Sequence, residues 1–143
     1  MATGHVLVPL DGSPLADEAL TFALETFDCR ITVLNVVAPL DTGMSEGGLL
    51  EAGADRRAAA DERATNLVDR AAWQADEVGR EVETTVKTGD PAETILDYVE
   101  ENDVDQVVMG GHGGRKNEIA RRLLGTVATA VVSEAPVTVT VVR

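Results

Sequence analysis

Cysteine is all but missing from this chain. Cys29 stands alone among 143 residues, which excludes an internal disulfide and a thiolate metal site. Its default role is that of a small buried hydrophobe. Aromatic residues make up 3% and reduce to Phe22, Phe27, Trp73 and Tyr98, too few for the stacking platforms that hold single-stranded nucleic acid. Positive charge is short as well: 12 Lys and Arg face 25 Asp and Glu, for a net charge of −13. Only Lys87 and Lys116 are lysines. Nucleic-acid backbones and anionic membranes reward cations, so neither is expected as the main partner. No apolar run approaches the roughly 18 residues of a membrane-spanning helix, and the start of the chain lacks a signal-peptide pattern. The expectation is a soluble, cytoplasmic protein whose residues 1–143 form one domain.

What is present is an apolar pattern that keeps changing period. His5–Leu10, Ile31–Val37, Val82–Lys87, Asp105–Gly110 and Val137–Val142 read as strands. Between them, Ser13-Pro14 opens a helix through Leu15, Ala19, Phe22 and Ala23. Ala64, Leu67, Val68, Ala71, Ala75 and Val78 mark a second, alanine-rich helix stopped by Gly79. Asp90-Pro91-Ala92-Glu93 supplies a capping box for a third through Ile95, Leu96 and Val99, and a last helix follows Gly125 from Thr126 to about Glu134. Residues 40–54, with Gly43, Gly47, Gly48 and Gly53, show no period and read as a mobile loop. A short turn is expected near Glu118–Leu124. The alternation predicts an α/β fold, a five-stranded parallel sheet with helices on both faces. Whether the second helix lies flat on the sheet or crosses one end stays open.

In such a sheet, ligands bind at the carboxyl ends of strands where the strand order reverses. The first strand ends in Pro9-Leu10-Asp11-Gly12-Ser13 and the fourth in Met109-Gly110-Gly111-His112-Gly113. Asp11 is placed to accept hydrogen bonds from a ribose or to face a divalent metal; alternatively it is a turn residue bonding its own backbone. Gly110 and Gly113, then Gly125-Thr126, make two glycine-bounded clusters of backbone donors. Four of the 12 cations, Arg115, Lys116, Arg121 and Arg122, crowd between those clusters, opposed only by Glu118. Local positive charge beside close-approach backbone suits a phosphate, with His112 a further donor; a glycine turn with no ligand is the alternative. Neither a Walker A loop nor the G-x-G-x-x-G fingerprint occurs. No nucleophile–base pair or carboxylate pair is placed for catalysis. His5, on the first strand, reads as packing or edge decoration.

At these residues the chain resembles the universal stress protein family. The likeness runs through Val8-Pro9-Leu10-Asp11-Gly12-Ser13, Leu34-Asn35-Val36-Val37, Thr88-Gly89-Asp90-Pro91-Ala92-Glu93, Asp105–Gly113 and Leu123-Leu124-Gly125-Thr126-Val127-Ala128. The resemblance implies a Rossmann-like domain of the adenine nucleotide alpha hydrolase type, a homodimer joined through the C-terminal strand, and, in one branch, ATP or AMP binding. Within that branch's Gly-x2-Gly-x9-Gly-Ser/Thr motif, Gly110, Gly113, Gly125 and Thr126 match the glycine and hydroxyl positions. Asp11 and Val36 match the positions that hold ribose and adenine, Pro9 and Met109 the walls beside them, and Val127 a backbone contact. His112, Arg115, Lys116 and Arg122 are candidate phosphate contacts, and a divalent metal, Mg or Mn, is a candidate cofactor for which Asp11 is the candidate ligand. Two departures stand out. Eleven residues, not nine, separate Gly113 from Gly125, and Asn35 stands where the family commonly has His.

The reading that follows is a nucleotide-binding protein of stress response or signalling, with at most slow ATP hydrolysis. Its alternative is a nucleotide-free dimeric interaction module of the same fold. A receiver or phosphotransfer domain is disfavoured, because Thr85-Val86-Lys87-Thr88 ends the third strand without the Asp such a domain needs. The acidic, Arg-over-Lys composition reads as adaptation to a salt-rich cytoplasm, as in a halophilic archaeon.

Overall fold

The computed structural model describes residues 3–39, 49–112 and 124–143. Along the chain run β1 (His5–Pro9), α1 (Pro14–Thr26), β2 (Arg30–Val37), α2 (Leu49–Glu77), β3 (Glu83–Thr88), α3 (Pro91–Glu101), β4 (Gln106–Gly110), α4 (Thr126–Glu134) and β5 (Thr138–Val142). The strands form one sheet in the order β3-β2-β1-β4-β5, every pairing parallel. The two longest apolar runs of the N-terminal half thus lie side by side at its centre, with β1 in register with β2 from His5 opposite Arg30 to Pro9 opposite Leu34.

Period-two alternation divides the core between the two faces. Val6, Val8, Ile31, Val33 and Val108 pack against Ala16, Ala19, Leu20 and Ala23 of α1 and Ala71 and Ala75 of α2. Leu7, Leu34, Val107 and Met109 pack against Ile95 and Val99 of α3 and Ala128 and Val131 of α4. The open question about α2 is therefore settled: its alanine stripe lies on the sheet beside α1. Small side chains there let two helices share one face closely. Half-buried Cys29 packs against that same layer.

Helix ends follow from their residues. Ser13 Oγ accepts from the Ala16 N–H at 3.2 Å to start α1, and the Asp90 carboxylate accepts from Glu93 N–H at 3.0 Å to start α3, each ahead of a proline whose missing N–H costs nothing there. The exit of α1 is held by Arg80, whose guanidinium donates to the carbonyls of Leu24 at 2.8 Å and Cys29 at 3.1 Å.

Two expectations are corrected. Helix α2 begins at Leu49, so residues 49–54 of the expected loop are helical, while 40–48 and most of the expected turn at 118–124 lie outside the described residues. One glycine within a helix costs about 1 kcal/mol, which the 29 residues of α2 absorb at Gly53. Val78, expected on the apolar stripe, lies past the end of α2 and is 62% exposed.

At the amino end of the sheet, buried His5 donates through Nδ1 to the Asn102 carbonyl at 3.1 Å and meets Thr32 Oγ1 through Nε2 at 2.8 Å, the packing role expected of it. Beside it Arg30 grips Glu83 with two 2.7 Å hydrogen bonds between β2 and β3. Those bonds hold the Glu83 carboxyl below its ordinary range and raise the guanidinium of Arg30. Among the described residues, no helix is long and apolar enough to cross a membrane.

Candidate functional site

The strand order reverses at β1, which has β2 on one side and β4 on the other. A cleft of about 340 Å3 opens there at the carboxyl ends of the strands. It brings together Pro9, Asp11, Val36, Met109, Gly110, His112, Gly125, Thr126 and Val127, residues up to 118 positions apart in the chain by the difference between 127 and 9. Gly113, Arg115, Lys116 and Arg122 lie outside the described residues.

The wall on the β1 side is a tightly tied turn. Leu10 continues the ladder by donating its N–H to the Leu34 carbonyl at 2.8 Å. Its own carbonyl accepts from Asn35 Nδ2 at 2.7 Å. Exposed Asp11 then accepts the Ser13 N–H through Oδ1 at 2.9 Å, and Gly12 turns the chain at φ +84°, a conformation that suits glycine. Asp11 therefore closes its own turn, as one of its two readings expects, and also lines the cleft.

The opposite wall depends on close backbone approach. A Cβ at Gly110 would lie 2.9 Å from the Leu15 carbonyl carbon and 3.0 Å from Ala16 N, so only glycine lets β4 end this close to the first turn of α1. The next residue pairs outward, Gly111 N–H donating to the Val142 carbonyl at 2.7 Å, and the Gly111 carbonyl accepts the Gly125 N–H at 2.6 Å. The chain is thereby returned to the cleft at Gly125, beside His112.

Gly125 is the N-cap of α4 and has no side chain to bond the helix's first amides. The first intrahelical bond runs from Thr129 N–H to the Gly125 carbonyl at 2.9 Å. The amides of Thr126, Val127 and Ala128 precede it, and these three residues line the cleft. Helices α1 and α3 satisfy this need with Ser13 and Asp90; α4 does not. The positive end of its dipole lies at the cleft, an arrangement that favours an anion.

Between these walls the floor is apolar: Leu34, Val36, Ile95 and Met109. Leu34, Ile95, Pro91, Leu10, Ser13, Ala16 and Ala128 are lining residues that sequence reading missed. Part of the signal was available, since Leu34 shares a strand face with Val36, and Pro91 and Ile95 share a helix face at i, i+4. Among the described residues no three His, Cys, Asp or Glu side chains gather as a metal set. Asp11 is the single acid among the lining residues, and one of its oxygens is engaged in the turn.

The comparisons with known proteins agree with one another. The universal stress protein family model matches residues 3–143. A universal stress protein of Methanocaldococcus jannaschii is 30% identical over 143 residues, 96% of this chain and 81% of that protein. Among solved structures, a universal stress protein of Lactobacillus plantarum superposes with a TM-score of 0.84 at 25% identity, over 100% of this chain and 99% of that one. A universal stress protein family member from Arabidopsis thaliana, solved with AMP bound, superposes with a TM-score of 0.70 at 23% identity, over 97% and 90% of the two chains.

Proposed function

This chain belongs to the universal stress protein family, and on that premise we propose that it holds ATP or AMP in the cleft at the ends of β1 and β4. One observation carries the reading: the start of α4, without a side-chain cap, faces an apolar cleft whose one acid among the described residues is Asp11. A ligand suited to both ends carries hydroxyls to donate to a carboxylate, a flat apolar body for the floor, and an anion for the amides. An adenine nucleotide carries all three. In this assignment Val36, Pro9 and Met109 flank the base, Asp11 accepts from the ribose, and Gly110, Gly125, Thr126 and Val127 cradle the phosphates. His112, and beyond the described residues Gly113, Arg115, Lys116 and Arg122, join the phosphate end. Mg or Mn would arrive on the phosphates. We assign the chain at most slow ATP hydrolysis, since among the described residues Asp11 is the one acid lining the cleft.

The rest of the reading follows the family resemblance: one domain over residues 1–143, a homodimer through β5, and a cytoplasmic stress-response or signalling role in which nucleotide occupancy alters partner binding. We read the acidic, Arg-over-Lys composition as that of a halophilic archaeon, and the glycine motif through Gly110, Gly113, Gly125 and Thr126 as that of the ATP-binding branch of its family. A second reading, a nucleotide-free dimeric module, is favoured by the turn bond of Asp11 and by the two extra residues between Gly113 and Gly125. Denaturing the purified protein and chromatographing the released small molecules separates the two.

Calorimetry then tests the site itself. A carboxylate accepting ribose hydroxyls makes charge-assisted bonds worth about 1.5–3 kcal/mol, so Asp11→Ala should weaken ATP, AMP and adenosine alike by about tenfold or more. Unchanged affinity for all three would remove the adenosine assignment.

A further inference from the structure

Asn35 is a costly residue where it stands. It interrupts the apolar run of β2, is 7% exposed, and is buried on the α1 and α2 side of the sheet, away from the cleft-lining Leu34 and Val36. An apolar side chain would fill that place without the desolvation cost of an amide. What the amide does is donate from Nδ2 to the Leu10 carbonyl at 2.7 Å. That carbonyl lies one residue past the end of β1, beyond the last ladder partner, on a residue only 4% exposed. A buried carbonyl there needs a donor, and Asn35 supplies one.

The Leu10 carbonyl and the Asp11 N–H belong to one planar peptide unit. With the plane held on one edge by Asn35 and its preceding amide held by Leu34, it cannot rotate, and the position of the Asp11 Cα is set. The Ser13 N–H then fixes the Asp11 carboxylate through Oδ1. We propose that Asn35 is a positioning residue for the nucleotide site: through the Leu10 carbonyl it sets where the Asp11 carboxylate stands, and so sets the preference for a nucleoside over its free base. This rests on the nucleotide reading above. Asn35 itself is not among the residues that line the cleft.

The test is titration calorimetry of the full chain with adenine, adenosine and ATP. Asn35→Leu should weaken adenosine and ATP by about tenfold while adenine stays within about twofold, and the amide resonances of Asp11, Gly12 and Ser13 should move. Asn35→His keeps an N–H donor at the position and should recover adenosine affinity to within about threefold. Should Asn35→Leu lose its fold, Asn35→Ser, too short to span to Leu10, takes its place with the same expectations. Wild-type adenosine affinity in the folded Leu or Ser variant would overturn the proposal. So would an equal loss for adenine and adenosine, which marks general damage to the cleft, or a His variant no better than Leu. A wild-type chain that binds none of the three ligands would remove the nucleotide reading and this role with it, an outcome distinct from wild-type binding that Asn35 does not influence.

Discussion

Gly110 and Gly125 do different work although both border the same cleft. At Gly110 the atoms a Cβ would strike are backbone of Leu15 and Ala16, at 2.9 and 3.0 Å, and backbone at a helix start cannot rotate aside. Gly110→Ala should therefore push α1 off β4 and cost about 1–3 kcal/mol, read as a lower urea midpoint with unchanged slope. Because Asp11 and Ser13 sit on the segment displaced, nucleotide affinity should fall with it. An alanine variant as stable as wild type would mean that β4 and α1 are further apart than described. Asp11 was legible in the sequence because it is the acid directly after the first strand, yet sequence could not choose between turn and ligand; the structure shows the turn bond and sets the residue on the cleft wall, and the ligand contact is the proposal. Asn35 was legible only as a departure from the family's common residue. Its partner is a backbone carbonyl 25 residues away, and backbone partners leave no trace in side-chain patterns.

At the scale of elements, strands β1, β2 and β4 and helices α1 and α3 declared themselves through apolar runs, capping residues and proline at the first turn. The start of α2 did not, because Gly53 and the glycines before it masked the period. β3 alternates weakly because it is an exposed edge, and edges are under less apolar constraint. The element most tied to function is α4. Gly125→Asp would give it the side-chain cap it lacks, occupying the amides and adding negative charge at the same spot. Thermal stability should hold or rise slightly while ATP affinity falls by about tenfold or more, adenosine changing far less. ATP binding that survives this substitution would put the phosphates elsewhere. β5, at the opposite edge from β3, is the element assigned to dimerisation. Val139 and Val141 are only partly buried against their own core, and a second copy would cover them. Sedimentation should give a dimer, and Val139→Asp should shift it to monomer with the circular dichroism of wild type. A dimer indifferent to Asp at 139 would move the interface off β5.

Over the whole molecule, the balance of −13 is spread across carboxylates with few partners. Among the described residues two ion pairs occur, Arg30–Glu83 at 2.7 Å and Arg70–Asp17 at 3.5 Å, both on exposed side chains, where such pairs are worth about 0–1 kcal/mol. Local pairing thus does little to offset the repulsion that compaction imposes on the remaining acids. Screening is the effective remedy: the Debye length falls from about 8 Å at 0.15 M salt to about 3 Å at 1 M. Melting temperature should climb over that range in KCl, and a gain of about 1 kcal/mol corresponds to a few degrees in a chain of this size. Acid should erase the dependence, because protonating carboxylates removes the repulsion directly. Glu83 is held below the ordinary carboxyl range by its bonds from Arg30. Its depressed pKa in the folded state means its stabilising contribution is present above the unfolded carboxyl value and lost only as pH falls through the lower folded one. The salt increment in melting temperature at neutral pH should accordingly exceed that measured near pH 4. A curve that is flat or falling in KCl at neutral pH would show that self-repulsion is not what limits this fold, and the halophilic assignment would fall with it.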